Sequence, residues 1–266
     1  MVSDVMETVI AALLEYLERE SPGGVVGVYL YGSGATSAGL RPDSDIDVLV
    51  LTRRSLNPRD RGELVSLLLR ISGWRGHGGR FPEAAHRRPV ELTSLVVDDL
   101  RPLTGAPRRD FQYGEWLRGE FEAGRLPGPA RDPDVVVLLA TAQAAHRVLS
   151  GPALGEVVGH VPPELLRRAV LAVVPDVLAG VEGDERNALL TLARVVVTVE
   201  TGRIVSKDAA AEAVAPTLGA ADRELLERAR AGYLGVVAEE WAGSGPRVAA
   251  LARALAERAG RRAGGA

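Results

Sequence analysis

Apolar residues recur every three or four positions from Val5 through Val9, Ala12, Leu13, Tyr16 and Leu17, which predicts an amphipathic helix over residues 1–20. Ser21-Pro22-Gly23-Gly24 ends it. Residues 25–31 and 45–51 then form two β-branched or aromatic runs, each suited to a buried strand, with a glycine-rich stretch from Gly32 to Gly39 between them. Periodicity predicts a helix over 58–71 and a third strand over 90–97, and the glycines and prolines of 73–89 predict a mobile or hairpin-like connection. Beyond residue 130 the texture changes. Residues 134–149, 163–174, 184–201, 207–218 and 221–240 all carry helical spacing with little strand signal. Gly243-Ser244-Gly245-Pro246 reads as a linker to a last amphipathic stretch over 248–258, and the small, basic tail 260–266 is expected to be disordered. The pattern predicts an α/β domain over 1–125 and a helical domain over 126–266, divided within the Gly/Pro-rich segment 119–131.

Composition narrows the chemistry. The chain has 266 residues, enough for two moderate domains, and its 46% hydrophobic and 25% charged residues are those of a globular protein. Lys and Arg number 32 against 35 Asp and Glu, a net charge of −3, so no sequence-wide basic field exists to hold a nucleic acid. Cysteine is absent, which removes thiolate metal sites and cysteine nucleophiles, and His77, His86, His146 and His160 lack zinc-ligand spacing. Asp4 and Glu7 stand where a signal peptide needs positive charge, and the longest apolar run, Val135 to Ala140, is far short of the ~20 residues that span a bilayer. A cytoplasmic protein without membrane partners is expected. Its chemistry must come from carboxylates, hydroxyls or a hard cation.

The densest signal is Gly32-Ser33, then Asp45-x-Asp47, then Glu91 on a separate strand. Residues two apart in a strand face the same side, so Asp45 and Asp47 project together from an apolar segment. Paired carboxylates repel one another unless a cation compensates, and hard oxygen ligands suit Mg²⁺ held by a few carboxylates plus substrate phosphates. Three converging acids describe a metal-dependent phosphoryl or nucleotidyl transfer site. Gly32, Gly34 and Gly39 let the backbone approach a phosphate, and the Ser33 hydroxyl can donate to it. The alternative for Asp45 and Asp47 is a solvated turn after Pro42-Asp43-Ser44, and for Glu91 a lone acid in a half-exposed strand.

These motifs, in order with Phe111-Gln112-Tyr113-Gly114-Glu115-Trp116, Gly183-Asp184-Glu185-Arg186-Asn187, Leu190-Thr191-Leu192-Ala193-Arg194, Thr201-Gly202-Arg203-Ile204-Val205-Ser206-Lys207-Asp208 and Tyr233-Leu234-Gly235, carry a family resemblance. Over residues 25–240 the chain resembles the aminoglycoside adenylyltransferases of the nucleotidyltransferase superfamily, which modify spectinomycin and in many members streptomycin. The resemblance implies an N-terminal nucleotidyltransferase domain, a mixed sheet flanked by helices, and a C-terminal helical bundle, with ATP, Mg²⁺ and drug as ligands. It implies metal binding by Asp45, Asp47 and Glu91, with Glu91 also the base that takes the proton from the drug hydroxyl. It places Gly32, Ser33 and Ser44 at the phosphate loop, Arg194 and Lys207 on the ATP phosphates, and Trp116, Asp184 and Asn187 on the drug.

Read as residues alone, Arg194 and Lys207 are as compatible with a solvated helix face, Trp116 with a core tryptophan, and Asp184 with an ordinary helix N-cap. In family members that accept streptomycin, a Trp and an Asp precede the Gly-Asp-Glu-Arg motif; here those positions align with Pro175 and Gly180, which favours spectinomycin alone, although Asp176 or Glu182 could compensate. The phosphate loop is also one residue longer than in common members. The expectation is a monomeric enzyme that transfers AMP from ATP to the spectinomycin 9-hydroxyl. A dual streptomycin/spectinomycin enzyme, a nucleotidyltransferase with another small-molecule or protein acceptor, and a nucleotide-binding sensor are the competing readings.

Overall fold

The computed structural model describes residues 2–35, 44–238 and 240–263; Gly39, the Pro42-Asp43 part of the expected turn, and residues 264–266 lie outside them. In chain order the elements are α1 (Val2–Glu20), β1 (Val25–Tyr31), β2 (Ile46–Thr52), α2 (Pro58–Ile71), β3 (Val90–Val96), β4 (Arg108–Arg109), β5 (Phe111–Tyr113), α3 (Arg118–Glu122), β6 (Ala130–Arg131), α4 (Asp134–Ala144) and β7 (His146–Ser150). Helices follow: α5 (Leu154–Val157), α6 (Pro163–Ala172), α7 (Val174–Ala179), α8 (Glu185–Thr201), α9 (Lys207–Val214), α10 (Ala220–Tyr233) and α11 (Gly245–Ala263).

Of the described residues, the first compact unit comprises 2–35, 44–135 and 145–160. Its main sheet has the order β5-β3-β2-β1-β7, with β2 and β3 parallel and the other pairings antiparallel. Side chains alternate across it. Val28, Leu30, Ile46, Val48, Val50, Val90 and Leu92 share one core with Leu13 and Leu17 of α1 and Leu64 and Leu68 of α2. The opposite parity places Tyr29, Tyr31, Asp47 and Glu91 on the other face. Because α2 is the connection that lets β2 and β3 run parallel, its placement also decides which face carries the acids. The helix begins with a reciprocal capping box in which Asn57 accepts from the Asp60 N–H and Asp60 accepts from the Asn57 N–H.

The strand β7 corrects the helix expected over 134–149. That helix stops at Ala144, and His146–Ser150 pairs along β1. The local pattern permits helix, but the outer edge of β1 would leave a row of unpaired backbone donors and acceptors, and pairing it outweighs propensity. For the same reason residues 145–160 group with the sheet, beyond the division expected at 125. The connection over 73–89 is no hairpin: it contains a short 3₁₀ turn, Arg75–His77, and a series of tight turns.

Of the described residues, the second unit comprises 136–144, 161–238 and 240–263. Ala188, Leu189, Leu190, Leu192, Ala193, Val195, Val196 and Val199 are buried on nearly all sides of α8, as befits a central helix. It packs against α6, α7, α9, α10 and α11. Two expected helices are shorter than their patterns: α9 gives way to a 3₁₀ turn at Pro216, and α10 ends at Tyr233 before Gly235. The expected disorder of the tail is corrected as far as Ala263. Val248, Leu251, Ala252, Leu255 and Ala259 are buried at helical spacing, so one stripe anchors α11 past its basic residues.

Candidate active site

The acids stand in one row of the sheet. Glu91 on β3 is level with Asp47 on β2, Asp47 with Tyr31 on β1, and Tyr31 with His146 on β7. Partners in register project to the same face, so four chemically active side chains from four strands lie side by side. Asp45 precedes β2 by one residue and shares Asp47's parity. Tyr31 reports how closely the acids gather: burial, then the negative charges of Asp47, Glu91 and Asp45, push its phenol well above the ordinary value. Leaving the phenol protonated keeps a donor among three carboxylates. Gly32, at φ +65°, follows directly, and a Cβ there would collide with Asp47 Oδ2. Both the left-handed backbone and the close carboxylate therefore require glycine.

Among the described residues, no three His, Cys, Asp or Glu side chains close to metal-liganding distance. The donor set nonetheless suits a hard divalent ion. Asp47 and Glu91 are adjacent oxygen donors, and Mg²⁺ commonly takes only one or two carboxylates beside substrate phosphates and water.

Trp116 is no core residue: it is 58% exposed, in a short 3₁₀ turn, Glu115–Leu117. Its ring lies against the Cα of Gly114, where any Cβ would meet it. The polar neighbours the sequence puts around the indole turn the other way. Glu115 is 6% and Arg118 1% exposed, joined by an Arg118 Nε to Glu115 Oε2 bond of 2.7 Å. Burial disfavours the Glu115 carboxylate, yet donors from Arg118, Ser72 and Tyr113 outweigh it and hold its pKa below the ordinary value.

In the helical unit, Lys207 Nζ donates to Asn187 Oδ1 at 3.2 Å and Asn187 Nδ2 donates to Asp184 Oδ1 at 2.9 Å. Asp184 occupies the N-cap position of α8 but makes no side-chain cap bond, its carboxylate turning to Asn187 instead. Arg194 lies two turns beyond Asn187 on the same face of α8. Lys207, Asn187 and Asp184, from two separate motifs, thus form one polar chain.

Sequence reasoning overlooked Tyr31, His146 and the Glu115 hub. A tyrosine directly before Gly-Ser at the end of an apolar strand was a readable signal for the first. Nothing local marks the other two.

Comparison with known proteins defines the class. Residues 10–77 match the nucleotidyltransferase domain, and residues 156–258 match the aminoglycoside adenylyltransferase C-terminal domain. The chain is 42% identical over 229 residues to a spectinomycin 9-adenylyltransferase of Staphylococcus aureus, covering 86% of this chain and 85% of the relative. It is 34% identical over 236 residues to an aminoglycoside (3'')(9) adenylyltransferase of Escherichia coli, covering 86% of each. The crystal structure of an Enterococcus spectinomycin adenyltransferase with ATP and spectinomycin superposes with a TM-score of 0.85 at 28% identity, over 96% of this chain and 99% of that one. The fold is that of a nucleotidyltransferase followed by a helical domain. The chain belongs to the aminoglycoside adenylyltransferase family, and it is an enzyme of nucleotidyl transfer with ATP as co-substrate.

Proposed function

We propose that the protein adenylylates the 9-hydroxyl of spectinomycin. The observation that carries this reading is the row of Glu91, Asp47 and Tyr31 in register on one sheet face. Glu91 acts as general base: as the drug oxygen attacks the α-phosphorus of ATP in line, Glu91 accepts the hydroxyl proton, the bond to the leaving pyrophosphate breaks, and O-adenylylated drug results. Asp45, Asp47 and Glu91 hold Mg²⁺, which when bound neutralises charge on the phosphates. Gly32, Ser33 and Ser44 line the phosphate loop.

From the helical unit, Lys207 and Arg194 bind the ATP phosphates, while Asp184 and Asn187 bind the drug with Trp116. An exposed indole offers a flat apolar face to a saturated ring and attracts its ammonium groups. Pro175 and Gly180, where relatives that take streptomycin carry Trp and Asp, are exposed and have no side-chain donor, acceptor or aromatic ring to offer. Spectinomycin is accordingly the acceptor and streptomycin a poor one. The division of labour is an acid-bearing sheet domain and a helical domain, acting as a cytoplasmic monomer.

Incubation with radiolabelled ATP, Mg²⁺ and each drug tests this. Label is expected on spectinomycin and not on streptomycin. Equal labelling of both would replace the reading with dual specificity, and labelling of neither would point to another acceptor.

A further inference from the structure

Glu115 is surrounded by donors from separate elements. Its Oε1 accepts from Ser72 Oγ at 2.6 Å, Tyr113 Oη at 2.9 Å and Arg118 Nη2 at 3.1 Å. Its Oε2 accepts from Arg118 Nε at 2.7 Å and lies 3.0 Å from His77 Nε2. Ser72 Oγ in turn accepts from the backbone N–H of Val90 at 3.0 Å, and Arg118 Nη2 donates to the Ser72 carbonyl at 2.9 Å. Val90 is the residue before Glu91, and Glu115 is the residue before Trp116. One buried carboxylate thus links the foot of the strand that carries the base to the turn that carries the exposed indole.

Stability alone does not call for this arrangement. Removing an ion pair from water is costly, and apolar residues of similar volume often serve a fold as well or better. What charged, multiply bonded groups add is a fixed geometry, because each bond restricts direction as well as distance. The Trp116 ring lies against Gly114 and the residue is 58% exposed, so more than half of its surface has no packing to fix it.

We propose that Glu115 is a positioning residue for the acceptor: through Ser72 and Arg118 it sets the Trp116 turn relative to the Glu91 strand, so that drug recognition and proton removal share one geometry. This rests on the reading of Trp116 and Glu91 given above. The residue is buried, so it acts through the Trp116 turn, and its influence is confined to the acceptor side of the reaction.

The test uses Glu115→Gln and Ser72→Ala in a Trp74→Phe/Trp241→Phe parent, in which Trp116 is the sole tryptophan. Acrylamide quenching of its fluorescence reads the indole directly, and steady-state kinetics give KM for spectinomycin and for ATP. For either variant that folds by circular dichroism, the quenching constant is expected to change at least twofold. Its spectinomycin KM is expected to rise at least fivefold while the ATP KM stays within twofold. Unchanged quenching and unchanged spectinomycin KM would overturn the proposal. So would equal rises in both KM values, or failure of both variants to fold, since either marks a purely structural element. If the parent labels no spectinomycin, the proposed function fails, while the quenching comparison still decides whether Glu115 places Trp116.

Discussion

At Gly32 the chain turns with φ +65° directly under the Asp47 carboxylate. Gly32→Ala is expected to cost roughly 1–2 kcal/mol from the left-handed backbone, measured by urea unfolding. Activity should fall further than stability because the new Cβ displaces Asp47 Oδ2. Glu91→Gln keeps the size of the side chain and removes both the base and one carboxylate for Mg²⁺; kcat at saturating ATP and Mg²⁺ should drop by about 10²–10⁴ in steady-state kinetics. An unchanged kcat would show that another group takes the proton. Glu115 has its own signature with pH. Its pKa is lowered from 4.5 in the folded protein, so its contribution to stability is complete above that value and is lost as pH falls through the lowered one. Acid unfolding of Glu115→Gln should therefore show a shallower loss of stability below pH 4.5 than the parent. Asp45, Asp47 and Glu91 were legible as residues because acids are conspicuous in apolar strands. Glu115 was not, since nothing local tells an inward acid from a solvated one.

Among the elements, α2 is joined to Asp110, between β4 and β5, by a second buried ion pair, which no motif announces. Arg61, 7% exposed, reaches Asp110, 0% exposed, at 2.9 Å, and its other donors go to the carbonyls of Leu56 and Asp110. Asp110 also accepts from the Leu56 N–H and the Ser55 hydroxyl. Arg61→Ala strands a buried carboxylate, and the expected loss is about 3–5 kcal/mol in urea unfolding. The strands β1, β2 and β3 and the helix α2 were readable to within a residue or so, because continuous β-branched runs and an Asn-Pro start are local signals. The strand β7 and the end of α11 were misread because partners distant in sequence decided both.

For the molecule as a whole, the proposed chemistry draws on both units: acids from the sheet, phosphate cations from α8 and α9. Lys207→Ala should raise the ATP KM on the order of tenfold, the worth of one charge-assisted hydrogen bond, without lowering the thermal midpoint appreciably. Calorimetry should also find spectinomycin bound more weakly without nucleotide than with a non-hydrolysable ATP analogue, and by linkage the analogue bound more weakly, by the same factor, without the drug. Equal affinity would separate the two binding events. Composition by itself determined that thiol and thiolate-metal chemistry are absent. The motif order determined the family, and period-two alternation determined that Asp45 and Asp47 share a face. Only the tertiary structure decided that Glu91, Asp47, Tyr31 and His146 form one row, that Trp116 faces out and Glu115 in, and that Lys207, Asn187 and Asp184 join. Alternation and helical spacing are properties of neighbours along the chain, whereas register and burial depend on partners brought from tens of residues away.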